Sequence, residues 1–344
     1  MTLHTWLYRV SRLPQRLLAG RRYAERIAQE GRNFDERVVV HDLPMIFHYW
    51  SNRWLLPMEQ AFGFDHPYAF FAQQLARAAR GAIDTPRFVS LGCGNCDAEI
   101  DVAERLIALG VREFTLECLD LSAPMLERGA ALAAERGLSA HIVPVTGDFN
   151  RWKPRQTYDA ILANQSLHHV LELEHLFDAI SRSLAPHGRF VTSDMIGRNG
   201  HQRWPEALAI VRELWRELPP SHRYNLQLSR QENEFLDWDC STEGFEGIRA
   251  QDVLPLCVER FGFELFLPFA NVVDPFIDRG FGHHFDADAA WDRDFIDRVH
   301  ARDEAEILAG RIKPTHMMAV MTNDRGGTPR IREHLTPQFC VRSP

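Results

Sequence analysis

Between residues 87 and 193 the sequence alternates short apolar runs with longer stretches of helical periodicity, and this alternation constrains the fold more than any other feature. The apolar runs cover residues 88–91, 114–119, 140–145, 158–162 and 189–193. The helical stretches cover residues 98–109, 124–136 and 170–184. Strands that alternate with helices predict a parallel sheet with helices on both faces. We therefore expect a doubly wound, mostly parallel α/β fold.

The spacing and the punctuation of the helical stretches support this prediction. In the third stretch the apolar residues recur every three or four positions and would share one helix face: Val170, Leu173, Leu176, Phe177, Ile180 and Leu184. Ser122 suits an N-cap, and Pro124 suits the first turn that follows it. Gly110 and Gly137 stand where the first two helices are expected to end.

The pattern divides the chain into four parts. Residues 1–86 are helical and aromatic-rich, and we expect them to form part of a lid over a substrate. Residues 87–197 form the core, and residues 198–323 are expected to complete the sheet. Residues 324–344 are rich in Gly, Pro and Arg, which predicts a disordered tail. Two insertions in the third part are expected to add to the lid, over residues 219–250 and 274–314.

Composition excludes several classes of protein. Of 344 residues, 45% are apolar and 25% are charged, as in a folded globular chain. A net charge of −8 without a basic domain speaks against general nucleic-acid binding. No apolar run approaches the ~18 residues of a membrane span, and arginines interrupt the N-terminal stretch where a signal peptide needs its apolar core. Six scattered cysteines favour a reducing compartment, so we expect a cytoplasmic protein.

The first twenty residues contain an amphipathic helical pattern. Leu3, Trp6, Leu7, Val10, Leu13 and Leu17 share one face, and Arg9, Arg12 and Arg16 share another. A helix that lies on a membrane surface has this pattern, and so does a helix docked on its own domain. Pro14 would kink either helix. Transient membrane contact and docking both remain open at this point.

A glycine-rich turn follows the first predicted strand. Gly92 and Gly94 come directly after Leu91 and precede a helix, so the backbone there can approach a ligand closely and the helix N-terminus presents free N–H groups to it. A second strand ends in Asp120, 24 residues beyond Cys96. This interval is near the ~20 residues at which an acid bonds ribose hydroxyls in βαβ nucleotide sites.

These motifs, in this order, resemble the class I S-adenosylmethionine-dependent methyltransferases. Residues 91–94 resemble the loop under the methionine part of the cofactor, and residues 120–126 resemble the ribose-binding strand end with its helix. Residues 147–149 are similar to the segment whose acid bonds the adenine amino group. Residues 158–170 resemble the fourth strand, which opens onto the substrate, and residues 186–190 resemble the turn before the fifth strand. The resemblance implies a seven-stranded Rossmann-like sheet, completed by strands near residues 263 and 316.

The resemblance also implies a set of residues that bind S-adenosylmethionine. They are Gly92, Cys93, Gly94, Asn95, Asp120, Leu121, Met125, Asp148, Phe149 and Asn164. Two positions depart from the family pattern, because Ser90 stands where an acid is frequent and Cys96 stands where a third glycine is usual. An acid from Asp97 or Glu99 on the next helix would replace the first of these.

The implied activity is methyl transfer to an oxygen or nitrogen of a small-molecule acceptor. His168 and His169 follow the fourth strand, and one of them would take the acceptor's proton as a base. A helix cap or packing role is the alternative for each, and we expect at most one of the two to face the substrate because neighbouring helical residues point ~100° apart. His48, Tyr49 and Glu246 are predicted to contact the acceptor. No Asn/Asp-Pro-Pro-Tyr/Phe motif follows the fourth strand, which points away from DNA-adenine and protein-glutamine methylation.

Other interpretations of the same residues stay open. Cys93 and Cys96 form a C-x-x-C pattern, which suits a redox pair or half of a zinc site that would need a second pair. Residues 283–288 contain two histidines and two aspartates that would suit a divalent metal or a solvent-exposed loop. We expect no metal at the site. A lipid-linked or saccharide acceptor at a membrane surface, or a noncatalytic cofactor-binding module, are the alternative functions.

Overall fold

The computed structural model describes Tyr23, Arg26, Ile27 and residues 42–242 and 244–342. Within residues 42–86, three α-helices precede the sheet. Helix α1 (Met45–Trp50) continues through a π-helical turn (Ser51–Leu55) into α2 (Leu56–Ala61). Helix α3 (Pro67–Ala79) follows and packs against the sheet. The predicted helical pattern of residues 1–20 lies outside the described residues.

The core alternates strands and helices as the sequence predicts. Its strands are β1 (Arg87–Leu91), β2 (Thr115–Asp120), β3 (Ile142–Thr146), β4 (Tyr158–Asn164) and β5 (Leu184–Met195). Its helices are α4 (Asp97–Ala108), α5 (Ala123–Glu135) and α6 (Leu173–Ser183). The predicted boundaries are confirmed where local chemistry sets them, since the Ser122 hydroxyl accepts the Met125 N–H and both Gly110 and Gly137 have positive φ.

The rest of the described chain adds further helices and strands. Its helices are α7 (Pro205–Trp215), α8 (Ala250–Arg260), α9 (Asp274–Ile277), α10 (Ala290–Leu308) and α11 (Pro337–Cys340). Its strands are β6 (Tyr224–Asn225), β7 (Arg230–Gln231), β8 (Gly262–Phe269), β9 (His316–Thr322) and β10 (Arg330–Ile331). Strands β6 and β7 pair only with each other.

The main sheet has eight strands in the order β10-β8-β9-β5-β4-β1-β2-β3. Strands β1 to β5 are parallel, and β9 runs antiparallel to both of its neighbours. The doubly wound α/β prediction is therefore confirmed, with one two-residue edge strand beyond the expected seven. The chain moves outward from β1 to β3 and then returns to the other side of β1 with β4. A crevice forms at the carboxyl ends of the strands at such a reversal, and ligands bind there in this class of sheet.

The C-terminal segment differs from its prediction. Residues 330–342 pack against the folded core instead of forming a disordered tail. Strand β10 pairs with β8, and the side chains of Leu335 and Cys340 are buried. Arg332 forms an ion pair with Glu304 on α10. The composition of this segment predicted disorder because Gly, Pro and Arg are frequent in it and apolar residues are few. Those few apolar residues nevertheless reach the core.

Replacing Leu335 with alanine tests this packing. Because its side chain is fully buried, we expect the substitution to lower the free energy of unfolding by about 2–5 kcal/mol, as for other large-to-small core changes. Urea denaturation followed by circular dichroism measures the difference. Leu236→Ala is the matched control, since Leu236 is exposed. Equal stability of the two variants would contradict the packed C-terminal segment.

Among the described residues, no helix is both long enough and apolar enough to span a bilayer.

Candidate functional site

A cavity of about 560 Å³ lies at the carboxyl ends of β1, β4 and β5, where the strand order reverses. Loops after β1 and β2 line one end of it. The loops that contain His201, Glu246 and Arg279 line the other end. Phe47 and Trp50 of α1 and Phe71 of α3 add aromatic walls. One cavity therefore joins the glycine-rich loop to a second, polar region.

Asp120 fixes the glycine-rich loop. Its Oδ2 accepts the Gly94 N–H at 2.8 Å, and its Oδ1 accepts the Ser122 N–H at 2.9 Å. Gly92 has a φ of 75°, and a Cβ at this position would lie 2.6 Å from the Cβ of Ser166. Glycine is required there by both the backbone conformation and the space. The acid at the end of β2 thus holds the loop that follows β1 and remains part of the cavity wall.

Nearly all residues predicted to bind the cofactor line this cavity. They are Gly92, Cys93, Gly94, Asn95, Asp120, Leu121, Met125, Phe149 and Asn164. Asp148 does not line the cavity, and its contact with the cofactor stays a prediction. Its Oδ2 accepts a hydrogen bond from the Tyr23 hydroxyl at 2.5 Å, and its Oδ1 accepts the Asn150 N–H, so it caps a short helix beside the cavity.

A buried acid, Glu99, lies beside Ser90 of β1. The Ser90 hydroxyl donates to Oε1 of Glu99 at 2.6 Å, and burial raises the pKa of Glu99 to about 8. Glu59 of α2, which the sequence analysis missed, also lines the cavity, and burial raises its pKa to about 7. In the described part of the chain, Oε2 of each carboxyl lacks a hydrogen-bond partner. Two such oxygens suit a cationic ammonium group in the cavity.

The C-x-x-C pattern acquires a third thiol from a neighbouring strand. The Sγ atoms of Cys93 and Cys96 are 3.7 Å apart, and Cys118 of β2 brings its sulfur within 4.8 Å of both. The spacing of Cys93 and Cys96 could not predict the third thiol, because it is the pairing between β1 and β2 that brings Cys118 near them. The three thiols form a compact cluster behind the glycine-rich loop.

Histidines and carboxylates gather at the other end of the cavity. We call His168, His169, His201, Glu246 and Asp194 the histidine cluster. His168 Nδ1 lies 2.7 Å from Oδ1 of Asp194, and its Nε2 lies 3.3 Å from Oε1 of Glu246. His201 Nε2 is 2.5 Å from the same Glu246 oxygen, and His169 Nε2 is 3.6 Å from Oε2.

The two carboxylates determine the charge of His168. Burial alone lowers its pKa, but Asp194 and Glu246 outweigh burial and raise the pKa to about 10. Burial lowers the pKa of His201. Burial also opposes ionisation of Glu246, yet its histidine neighbours hold its pKa well below the ordinary range. His168 and His169 both line the cavity, whereas we expected only one to do so.

Of the three predicted acceptor contacts, the structure places only Glu246 in the cavity wall. His48 is exposed, and the Tyr49 hydroxyl donates to Asp297 of α10 at 3.1 Å. The phase of α1 explains this placement, since Phe47 and Trp50 are three residues apart on the face that meets the cavity. The sequence analysis also missed His201 and Arg203, which belong to the irregular segment after β5.

Residues 283–288 do not converge into a metal site. His283 is exposed, and His284 Nε2 lies 2.7 Å from the Tyr224 carbonyl oxygen. Within the described residues, only two clusters have metal-ligand spacing, and this loop belongs to neither.

A family model described as a methyltransferase domain matches residues 88–188. This region contains the glycine-rich loop, Asp120, and both His168 and His169. Residues 88–188 are therefore similar to a methyltransferase domain. The matched region thus covers the strands whose carboxyl ends form the cavity.

Curated relatives match the methyltransferase domain region. A trans-aconitate 2-methyltransferase of Mycobacterium marinum is 32% identical over 117 residues, which is 34% of this chain and 39% of that protein. The Streptomyces avermitilis enzyme of the same name is 32% identical over 124 residues, or 36% of this chain and 44% of that protein. The matches therefore span less than half the length of these relatives.

Solved structures with similar folds are more distant in sequence. A geranyl diphosphate C-methyltransferase from Streptomyces coelicolor has a TM-score of 0.41 and 13% identity, covering 74% of this chain and 78% of that chain. An O-methyltransferase from a Brevibacillus brevis trans-AT polyketide multienzyme has a TM-score of 0.43 and 13% identity, covering 89% and 85%.

Proposed function

We propose that the protein transfers a methyl group from S-adenosylmethionine to an oxygen or nitrogen of a small-molecule acceptor. The observation that carries this proposal is the single cavity that joins the glycine-rich loop and Asp120 to the histidine cluster. The first end has the groups that a nucleoside and an amino acid need, and the second end has polar groups suited to an acceptor. A noncatalytic binding module would not require that second end.

The residues at the first end fit S-adenosylmethionine. Asp120 can accept bonds from the ribose hydroxyls, while Leu121 and Phe149 offer apolar surface for the adenine. Glu99 and Glu59 present carboxyl oxygens to the ammonium of the methionine part. When bound, S-adenosylmethionine supplies an electrophilic methyl carbon on its sulfonium. The chain's own task is to hold the donor and the acceptor in line and to exclude water.

The proton of a hydroxyl or amine acceptor must leave as the methyl arrives. Both ring nitrogens of His168 face carboxylates within 3.3 Å, so this histidine is engaged on both sides. His169 lines the cavity, and its Nε2 lies 3.6 Å from Oε2 of Glu246. Of the two histidines predicted from the sequence, we therefore assign the base role to His169.

Arg203 indicates which acceptors to test first. Its side chain is largely buried and donates to Asp274 at 3.1 Å, and within the described residues its Nε has no hydrogen-bond partner. This nitrogen and Arg279 suit an acceptor that carries an anionic group. The relatives named for trans-aconitate make that tricarboxylate a useful first probe.

Calorimetry with S-adenosylhomocysteine followed by turnover assays tests the proposed function. We expect micromolar binding of S-adenosylhomocysteine by the folded protein, and S-adenosylhomocysteine release with at least one acceptor from a panel of carboxylate, hydroxyl and amine metabolites. Failure of a folded sample to bind would contradict the proposal. Binding without turnover on any acceptor would favour the noncatalytic module.

A lipid-linked or saccharide acceptor at a membrane surface is tested by a different experiment. The helix that suggested it lies in residues 1–20, outside the described residues. Sedimentation with anionic vesicles, using the full chain and a chain without residues 1–20, distinguishes a membrane-surface acceptor from an acceptor in solution. We further propose a cytoplasmic location, which the largely buried cysteines favour.

Glu99→Gln tests the assignment of the ammonium site. Loss of one hydrogen bond to a charged partner is worth about 1.5–3 kcal/mol, so at pH 8.5, where the Glu99 carboxyl is ionised, we expect S-adenosylhomocysteine to bind the variant roughly 10- to 100-fold more weakly. Glu104→Gln, on the exposed side of the same helix, is the control and should bind normally.

The same variant has an opposite effect on stability. Because burial raises the pKa of Glu99 to about 8, the fold favours its neutral form, and the stability that this form contributes is lost as the pH rises from 4.5 to about 8. Glu99→Gln should therefore raise the melting temperature at pH 8.5 and change it little at pH 4.5. A variant that is less stable at pH 8.5 would contradict the buried, uncharged state.

A further inference from the structure

The loops that contain His201 and Glu246 are fastened to each other beside His168. The Gly200 N–H donates to the Gly247 carbonyl at 2.8 Å, and a Cβ at Gly247 would lie 3.1 Å from the His201 ring. Glycines at these two positions allow the close approach. The side chains of His201 and Glu246, which are 45 residues apart in sequence, thereby converge. His168, which follows β4 and precedes His201 by 33 residues, joins them.

Three ligand atoms result from this convergence. Nε2 of His168, Nε2 of His201 and a carboxylate oxygen of Glu246 all lie within 4.8 Å of one another. We propose that His168, His201 and Glu246 bind a divalent transition-metal ion whose remaining coordination position faces the acceptor end of the cavity. The metal site itself does not require the proposed methyl transfer, whereas the acceptor as its further ligand rests on that proposal.

The distances suit a zinc-like ion. Ligands bound at about 2.0–2.2 Å in a tetrahedron stand about 3.4 Å apart. His168 Nε2 and Glu246 Oε1 are already 3.3 Å apart. His201 Nε2 lies 2.5 Å from the same oxygen, so the Glu246 carboxylate has to move by about 1 Å from it to admit the ion. Glu246 is in a turn with a partly exposed side chain, which permits this movement.

Asp194 orients the first ligand. It lies at 2.7 Å from His168 Nδ1, which directs Nε2 toward His201 and Glu246. Asp194 is itself fully buried and accepts the backbone N–H groups of Ser166, Leu167 and Met195. A carboxylate behind a ligating histidine is the usual outer-shell partner in metal sites. The two carboxylates also match the charge of a divalent ion.

The donor set indicates the chemistry of the site. Two imidazole nitrogens and one carboxylate oxygen suit Zn²⁺ and other first-row divalent ions, and three protein ligands leave a coordination position for a further group. Because the three ligands line the cavity, that position faces the space assigned to the acceptor. A hydroxyl, carboxylate or phosphate oxygen of the acceptor is the class of ligand that it would take.

Co²⁺ titration of the purified, metal-free full-length protein tests the site. We expect one equivalent of Co²⁺ to give visible d–d absorption without the near-ultraviolet charge-transfer band of cobalt thiolates. Glu246→Gln and His201→Ala should each weaken binding by more than the roughly 10- to 100-fold that loss of an outer-shell partner costs. His283→Ala is the control for adventitious surface binding and should not change the affinity.

The cysteine cluster supplies the competing site, and the same titration distinguishes it. A thiolate band that survives in Glu246→Gln and disappears in Cys118→Ala would place the ion at Cys93, Cys96 and Cys118 and overturn the proposal. Absence of binding at millimolar Co²⁺ would also overturn it. Calorimetry with S-adenosylhomocysteine on the metal-free protein tests the proposed function separately, so failure of one proposal cannot be mistaken for failure of the other.

Discussion

Asp120→Ala is expected to weaken S-adenosylhomocysteine binding by about 10²- to 10⁴-fold. Two ribose hydroxyls would lose a charged acceptor, and each such hydrogen bond contributes about 1.5–3 kcal/mol. The variant also loses the acceptor for the Gly94 N–H, so the glycine-rich loop is no longer fixed from β2. Isothermal titration calorimetry measures the change directly, without any need for a known acceptor.

Two further variants define what this result means. Asp120→Asn keeps the shape of the side chain and one carbonyl oxygen, so we expect an intermediate loss of affinity. Asp84→Ala removes an exposed carboxylate from the loop before β1 and should leave binding unchanged. Near-ultraviolet circular dichroism establishes that each variant is folded. Wild-type affinity in a folded Asp120→Ala sample would contradict the placement of the ribose.

The cofactor end of the cavity was predictable because it is built from neighbours in the sheet. Strands β1 and β2 pair in register from Arg87 with Thr115 to Leu91 with Leu119, so the loop after β1 and the acid at the end of β2 must meet. Sequence order alone determines that meeting in a parallel βαβ unit. The hydrogen bond from the Tyr23 hydroxyl to Asp148 was not predictable, because the two residues lie more than a hundred positions apart in sequence.

The acceptor end was not predictable, because it depends on packing between distant segments. Glu246 contacts His201, which lies 45 residues before it in sequence, and His168 contacts Asp194, which lies 26 residues after it. No periodicity connects them. In α1 the residues that line the cavity are Phe47 and Trp50, and not the neighbouring His48 and Tyr49. Local patterns predict which elements form, and tertiary packing decides which side chains face the ligand.

His169→Ala is expected to lower kcat by about 10²- to 10⁴-fold with a hydroxyl or amine acceptor, which is the range for loss of a general base. S-adenosylhomocysteine affinity should stay within a few-fold of the wild-type value, because His169 lies at the acceptor end. The measurement is single-turnover methyl transfer with any acceptor found in the panel, together with calorimetry. An unchanged rate with such an acceptor would remove the base role.

His168→Ala separates a base from a structural histidine. Removing His168 leaves Asp194 fully buried beside an empty space, and loss of one partner of a buried ion pair costs about 3–5 kcal/mol. We therefore expect lower stability in His168→Ala but near-normal stability in His169→Ala. If His169 is the base, the rate falls in a stable protein; if instead it only packs, rate and stability fall together. Urea denaturation of both variants beside the rate measurement decides between these roles.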